Sequence, residues 1–344
     1  MIKLCSKLSA FSFGLLVCLI LYALLEVFFG YLLRQRAGTH DQSILEYSHE
    51  RYYEIEPRLG YRPFANTSIR SSLTKSGRTC YDITYETDQY HRRITPVADP
   101  EQRDQYALFF GGSYAYGEGV AEDETLPSHF ARLAPQYRPY NYAFHGYGPQ
   151  NMLAKLQGVD IREEVPEAEG ICVYVYLPDY HEKRAVGSMQ VFTGWGNALP
   201  YYRLDQTDRV VRNDDFERGR PFVSSLYSLI NTSNIVTYFK LDVPIVMRKS
   251  HYYVTARILN EAKKEFQKKF QSDNFYVLIY PHDLKKAKII DYLEELGIKY
   301  FSYDLFKPFQ EGYYIKGDCH PNSHAFETIA HKLARDIQSV KENI

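Results

Sequence analysis

The sequence predicts an α/β protein, a three-layer sandwich around a central, mostly parallel sheet, preceded by an N-terminal transmembrane helix. Three observations predict it. From residue 105 onward, short apolar runs alternate with segments of helical periodicity. Such alternation gives parallel strands covered by helices on both faces. The last helical segment places Phe326, Ile329, Ala330, Leu333, Ala334 and Ile337 on one face, with Asn322 or Ser323 able to cap its start. Finally, residues 10–33 carry a single charge, Glu26.

The N-terminal stretch AFSFGLLVCLILYALLEVFFGYLL is long enough, as a helix, to cross a hydrocarbon core of about 30 Å. It runs straight into Arg34 and Arg36 without the short apolar stretch and small-residue cleavage site of a secretory signal, so a retained anchor is expected over a cleaved leader. Lys3 and Lys7 oppose Arg34 and Arg36, and the charges leave the topology open. The expected organisation is residues 1–36 as a short tail and anchor, 37–104 as a linker and small β-rich lead-in, and 105–344 as the α/β domain with an insert at about 181–270. In the lead-in, TCYDITYETD after the turn-like KSGR reads as a hairpin.

Within the α/β domain, QYALFF is the first expected strand, followed by a helix over 126–133. YNYAF and a helix over 150–157 come next, and GICVYVYL is the third strand. After the insert, FYVLIY leads to a helix over 284–296, and KYFSYDLF precedes the last helix. The insert carries the single tryptophan, Trp195, and a helix using Val254, Ile258, Leu259, Ala262 and Phe266.

Composition narrows the function. Forty-one Lys and Arg against 42 Asp and Glu give no positive field to hold a nucleic-acid backbone, so no nucleic-acid partner is expected. The five cysteines show no metal-type spacing with histidine, and neither a metal nor an organic cofactor is expected. The 32 tyrosines suit both core edges and the walls of wet clefts.

Candidate chemistry collects where strands end, because open α/β sheets form their sites at the carboxyl edge. The first strand runs into FFGGSYAYGEGV, which sets Ser113 in a glycine-rich turn. Free amides there could hold either a phosphate or a developing oxyanion, and the GxGxxG and GxxxxGK[ST] spacings are absent. A nucleophilic serine needs a base, and DCHPN offers His320 with Asp318 two residues before it to fix its tautomer. His145, His181, His282 and His324 are the competing histidines. FHGYGPQN after the second strand offers the amides of Gly146 and Gly148, and LPDYHEKR after the third offers Asp179, His181 and Arg184.

With these residues assembled, the chain resembles the SGNH hydrolase superfamily, the GDSL-type esterases and acyltransferases, over roughly residues 105–340. FFGGSYAYGEGV is similar to the block that carries the nucleophile, which implies Ser113. NYAFHGYGPQ is similar to the block whose glycine amide joins the oxyanion hole, which implies Gly146 beside the amide of Ser113. DCHPN is similar to the last block, which implies Asp318 and His320. Two departures bear on chemistry: the acid and base are spaced DxH where DxxH is common, and LPDYHEKR stands where the family supplies an asparagine in GxND, so either Asp179 or His181 substitutes or the oxyanion hole is weaker. The resemblance implies a membrane-tethered serine esterase or O-acyltransferase of the cell envelope, its catalytic domain outside the cytoplasm and periplasmic in a bacterium. The expected substrate is an acylated, typically O-acetylated, carbohydrate. The alternatives are a catalytically silent glycan-binding or assembly protein, and a lipid or thioester hydrolase with the same triad.

Overall fold

The computed structural model describes residues 2–39, 43–49, 52–158, 161–281 and 287–342. The chain opens with α1 (Ile2–Thr39), whose segment Phe11–Arg36 is long and apolar enough to cross a membrane. Five strands follow: β1 (Ser43–Tyr47), β2 (Tyr53–Glu56), β3 (Gly60–Pro63), β4 (Ser68–Lys75) and β5 (Arg78–Glu86). β4 and β5 form the hairpin expected around Ser76 and Gly77, and β1 adds to its edge as a third antiparallel strand. β2 and β3 pair separately.

The core sheet contains β6 (Gln105–Gly111), β7 (Tyr137–Asn141), β8 (Glu169–Tyr176), β11 (Phe275–Ile279) and β12 (Lys299–Ser302), in the order β12-β11-β8-β6-β7. All four pairings are parallel, with β6 in register with β8 from Gln105↔Glu169 to Gly111↔Val175. β6 and β8 are buried along almost their whole length, which is why they read as continuous apolar runs rather than alternating ones. β7 begins and ends three residues before the expected YNYAF. Ala143 and Phe144 leave the sheet instead, and the amide of Ala143 turns onto the Asn141 side chain at 3.1 Å.

Helices cover the sheet. α2 (Ser113–Tyr116) is a single turn after β6; α3 (Leu126–Leu133) leads to β7, and α4 (Pro149–Gly158) leads to β8. The insert carries α5 (Tyr180–Val186), α6 (Met189–Val191), a π-helical turn at Phe192–Gly196, the β9 (Pro200–Leu204) and β10 (Val210–Asp215) hairpin, α7 (Phe216–Gly219), α8 (Pro221–Asn231), α9 (Asn234–Phe239) and α10 (Lys249–Phe270). α10 buries Ile258, Leu259, Ala262 and Phe266 as its periodicity requires. α11 (Ile290–Glu295) is shorter than the expected 284–296 helix: 287–289 and Leu296 are described and lie outside it, and 284–286 lie outside the described residues. α12 (Ser323–Glu342) packs on α3 and is capped by Asn322, whose Oδ1 accepts from the amide of Ala325 at 3.0 Å. The chain moves from β6 outward to β7 and then back across β6 to β8, so the strand order reverses at β6. Sites in such sheets form at that reversal, outside the carboxyl end of the strand.

Candidate active site

Ser113 stands two residues beyond the end of β6, as the first residue of α2. Its turn is tightly bound from below. Arg93, only 1% exposed, donates to the carbonyls of Tyr116 at 2.9 Å, Gly117 at 2.5 Å and Val120 at 2.7 Å, and pairs with Glu122. Gly112 is required by a close approach, because a β-carbon there would collide with Nη1 of Arg184.

The opposite partner comes from the loop before α12. Residues 313–322 fold back on themselves: the amide of Ile315 donates to the His320 carbonyl at 2.9 Å, and that of Asp318 to the Ile315 carbonyl at 3.0 Å. This local closure aims both side chains the same way. Asp318 Oδ2 lies 2.7 Å from His320 Nδ1, and His320 Nε2 lies 3.0 Å from Ser113 Oγ. The Tyr114 hydroxyl steadies the loop by donating to the Cys319 carbonyl at 2.8 Å. The structure thus brings together Ser113, Asp318 and His320. The serine is only 8% exposed.

Two backbone amides of these turns are open. Neither Ser113 nor Gly146 has an acceptor for its backbone N–H among the described residues, whereas that of Gly148 is taken by Asn151 Oδ1 at 3.0 Å. The loop carrying Gly146 is tied to the serine turn by the Phe144 amide, which donates to the Gly111 carbonyl at 3.3 Å.

The third strand-end loop behaves differently from expectation. His181 is 1% exposed, with Nδ1 engaged by the Tyr174 hydroxyl at 2.8 Å and the Leu177 amide at 3.3 Å. Burial holds its pKa well below the ordinary value, so it stays a neutral ring in the core. Asp179 takes the position before α5 with a left-handed φ of 67°. From that loop, Arg184 reaches the serine turn. Its Nη1 donates to the Tyr147 carbonyl at 2.7 Å, and no carboxylate among the described residues lies within ion-pair distance. The other histidines separate in the same way. His324 is exposed and stacks near Tyr313, while His282 lies outside the described residues.

One residue of this cluster escaped sequence reasoning. Glu118, between two glycines, turns its carboxylate into the site, where Oε2 sits 2.6 Å from His145 Nδ1 and 3.2 Å from His320 Nε2. Burial works against its charge, but His145 and His320 outweigh that effect and hold its pKa down at about 2. For His320, burial opposes the charged ring, and Glu118 and Asp318 overcome it, so its pKa is raised above the usual histidine value. For Asp318, burial is likewise outweighed, by the bond to His320, and its pKa is lowered.

Asp318, Cys319 and His320 are close enough in space to be read as metal ligands. The donor set does not suit one: both His320 nitrogens are turned to protein partners, and burial raises the Cys319 thiol to about 11, where it keeps its proton at neutral pH.

Fold and geometry together define an α/β protein with a hydrogen-bonded row of Ser113, His320 and Asp318 at the carboxyl edge of a parallel sheet. No protein-family model and no curated protein matches the chain. Solved structures similar to it include the following three. A protein assigned to the G-D-S-L family of lipolytic proteins from Desulfitobacterium hafniense DCB-2 has 10% identity and a TM-score of 0.34, covering 67% of this chain and 98% of that one. An acetyl xylan esterase from the rumen bacterium Butyrivibrio proteoclasticus has 11% identity and a TM-score of 0.40, covering 75% and 68%. A carbohydrate esterase family 2 enzyme with a carbohydrate-binding domain, from Corynascus thermopiles, has 12% identity and a TM-score of 0.36, covering 78% and 70%.

Proposed function

We propose that the chain is a membrane-tethered serine esterase or O-acyltransferase that acts on acylated carbohydrate through an acyl-serine intermediate. The observation that carries this reading is His320 held between Asp318 and Ser113, 2.7 Å from one and 3.0 Å from the other. Ser113 Oγ attacks the ester carbonyl as its proton passes to His320 Nε2. The carbonyl oxygen gains the negative charge, which the amides of Ser113 and Gly146 receive. Collapse breaks the ester C–O bond, and the imidazolium returns its proton to the departing alcohol. Water or a sugar hydroxyl then repeats the sequence on the acyl-serine, with His320 again taking the proton.

Glu118 and Asp318 flank the ring on both nitrogens and stabilise the imidazolium formed in each half-reaction. Arg184, 8% exposed, adds a positive charge beside Gly112, the residue that precedes the Ser113 amide. The carbohydrate part of the reading is supported by Trp195. Its indole Nε1 and the Tyr61 hydroxyl both sit where a side chain on residue 146 would begin, yet the residue is 46% exposed. An open indole beside the oxyanion amide offers a flat apolar surface to the C–H face of a sugar ring.

The test is covalent labelling with a fluorophosphonate probe. The full chain should label, and Ser113→Ala should not. Labelling that persists in a folded Ser113→Ala chain rejects the assignment.

A further inference from the structure

The insert contains nineteen consecutive uncharged residues, 221–239 (PFVSSLYSLINTSNIVTYF), bracketed by Arg220 and Lys240. They form α8 and α9, a short helical hairpin. Its outer surface is apolar and uncovered: Phe222 is 81% exposed and Leu229 68%, and Leu226 lies between them on the same face. The following loop presents Ile245 and Val246, 78% and 69% exposed, before Arg248 and Lys249.

This hairpin is docked on α1. The carboxylate of Glu26 accepts from the Ser233 hydroxyl and from the Asn234 amide at 2.7 Å, and the Asn234 side chain donates to the Glu26 carbonyl at 3.1 Å. Phe29 packs on Tyr238 and Phe239 with ring centroids 4.8 and 5.1 Å apart. Arg36 lies over the Tyr238 ring at 4.2 Å and donates to its hydroxyl at 3.1 Å. α9 therefore runs beside α1 from Glu26 up to the arginines that end the apolar segment.

Depth follows from those contacts. Seven residues separate Glu26 from Leu33, the last apolar residue before Arg34, about 10 Å of helix, or a third of a hydrocarbon core about 30 Å thick. Whatever pairs with Glu26 shares its depth. We propose that the α8–α9 hairpin is a re-entrant membrane element, sunk about 10 Å into the bilayer beside α1, with lipid acyl chains covering Phe222, Leu226, Leu229, Ile245 and Val246. The proposal rests on reading α1 as a retained anchor.

Its chemistry fits that solvent. Backbone groups in hydrocarbon must find partners within the protein. At the tip, the amide of Thr232 donates to the Leu229 carbonyl at 3.2 Å, that of Ser233 to the Ile230 carbonyl at 3.1 Å, and that of Asn234 to Glu26. A carboxylate within a membrane span needs donors, and the hairpin supplies them. The cations lie only at the root, where Arg220 holds the Val186 carbonyl at 2.8 Å and Lys240, Arg248 and Lys249 suit headgroup phosphates. That root lies just past α5, the helix that carries Arg184.

The experiment places the photocrosslinker p-benzoylphenylalanine at Phe222, at Leu229, at Phe13 in α1 and at Phe309 on the far loop. Each full chain is reconstituted in vesicles of phosphatidylethanolamine and phosphatidylglycerol, irradiated and examined by mass spectrometry. Lipid adducts at Phe222 and Leu229 on the scale of Phe13, with none at Phe309, are expected. Adducts at Phe13 alone overturn the hairpin proposal, leave the anchor standing and assign the face to a protein partner or a second copy. Absence of adducts at Phe13 as well overturns both. Replacing the exposed Phe222 by a larger aromatic leaves the core untouched, so this position reads the outcome even if the Leu229 variant fails to fold.

Discussion

Glu118 Oε2 lies 3.2 Å from His320 Nε2, the same nitrogen that reaches Ser113 Oγ at 3.0 Å. The ring thus faces a second carboxylate at the nitrogen that meets the serine hydroxyl. Glu118 makes His320 a stronger base and at the same time keeps it protonated to higher pH. Only the neutral ring accepts the serine proton, so activity should rise with pH through a midpoint above the ordinary histidine value of about 6.5. Glu118→Gln removes one of the two negative charges and should move that midpoint down by on the order of one unit. The pH profile of kcat/KM measures it, and a midpoint that stays in place would remove Glu118 from the relay.

Asp318 Oδ2 lies 2.7 Å from His320 Nδ1, the contact that fixes the ring's tautomer in the proposed mechanism. Asp318→Asn preserves shape but favours the wrong tautomer, and kcat should fall by roughly 10³ to 10⁴ with unchanged circular dichroism. A loss under tenfold would show that Glu118 orients the ring unaided.

Arg184 offers its charge where the serine turn has no side chain in the way. Arg184→Met should lower kcat by about 10² with a smaller effect on KM. Gly112→Ala, which forces the guanidinium aside, should reproduce the loss. Steady-state kinetics of both variants decides the matter, since an arginine that only packs would leave kcat intact.

Trp195→Ala should raise KM for an acetylated oligosaccharide about tenfold while leaving hydrolysis of a small aryl acetate nearly unchanged, as expected for loss of one stacking surface. Equal effects on the two substrates would place the indole in the fold rather than in recognition.

Arg93→Met strands three carbonyls and Glu122 in the interior. The cost should be about 3 to 5 kcal/mol, read as a lower melting temperature with fluorophosphonate labelling lost in parallel. A variant as stable as the parent would mean that the glycine-rich turn holds its own shape.

The sheet was legible because β6, β8 and β11 are buried on both faces and stand out as apolar runs between helical periods. The pairing of Asp318 with His320 was legible because it is local. β7 was misplaced because Tyr142, Ala143 and Phe144 are as apolar as a strand, yet they form the loop that delivers Gly146. Glu118 and Arg93 could not be read: each acts on residues more than twenty positions away, and neither periodicity nor spacing records where a loop returns. His181 misled for the opposite reason, since a histidine beside a strand end looks available until the surrounding tyrosines are placed around it.

The imidazole has one partner two positions away and another 207 positions away. The near partner survives any disturbance that leaves the 313–322 loop closed; the far one depends on that loop staying against α2, where the Tyr114 hydroxyl holds the Cys319 carbonyl, and on α12 resting against α3, where His129 and Ser323 meet at 3.1 Å. Loosening those contacts together would uncouple hydroxyl from imidazole while most of the secondary structure persisted, a local opening of the kind that precedes global unfolding. On gentle heating, turnover should fail before the molecule melts, and cooling should restore it.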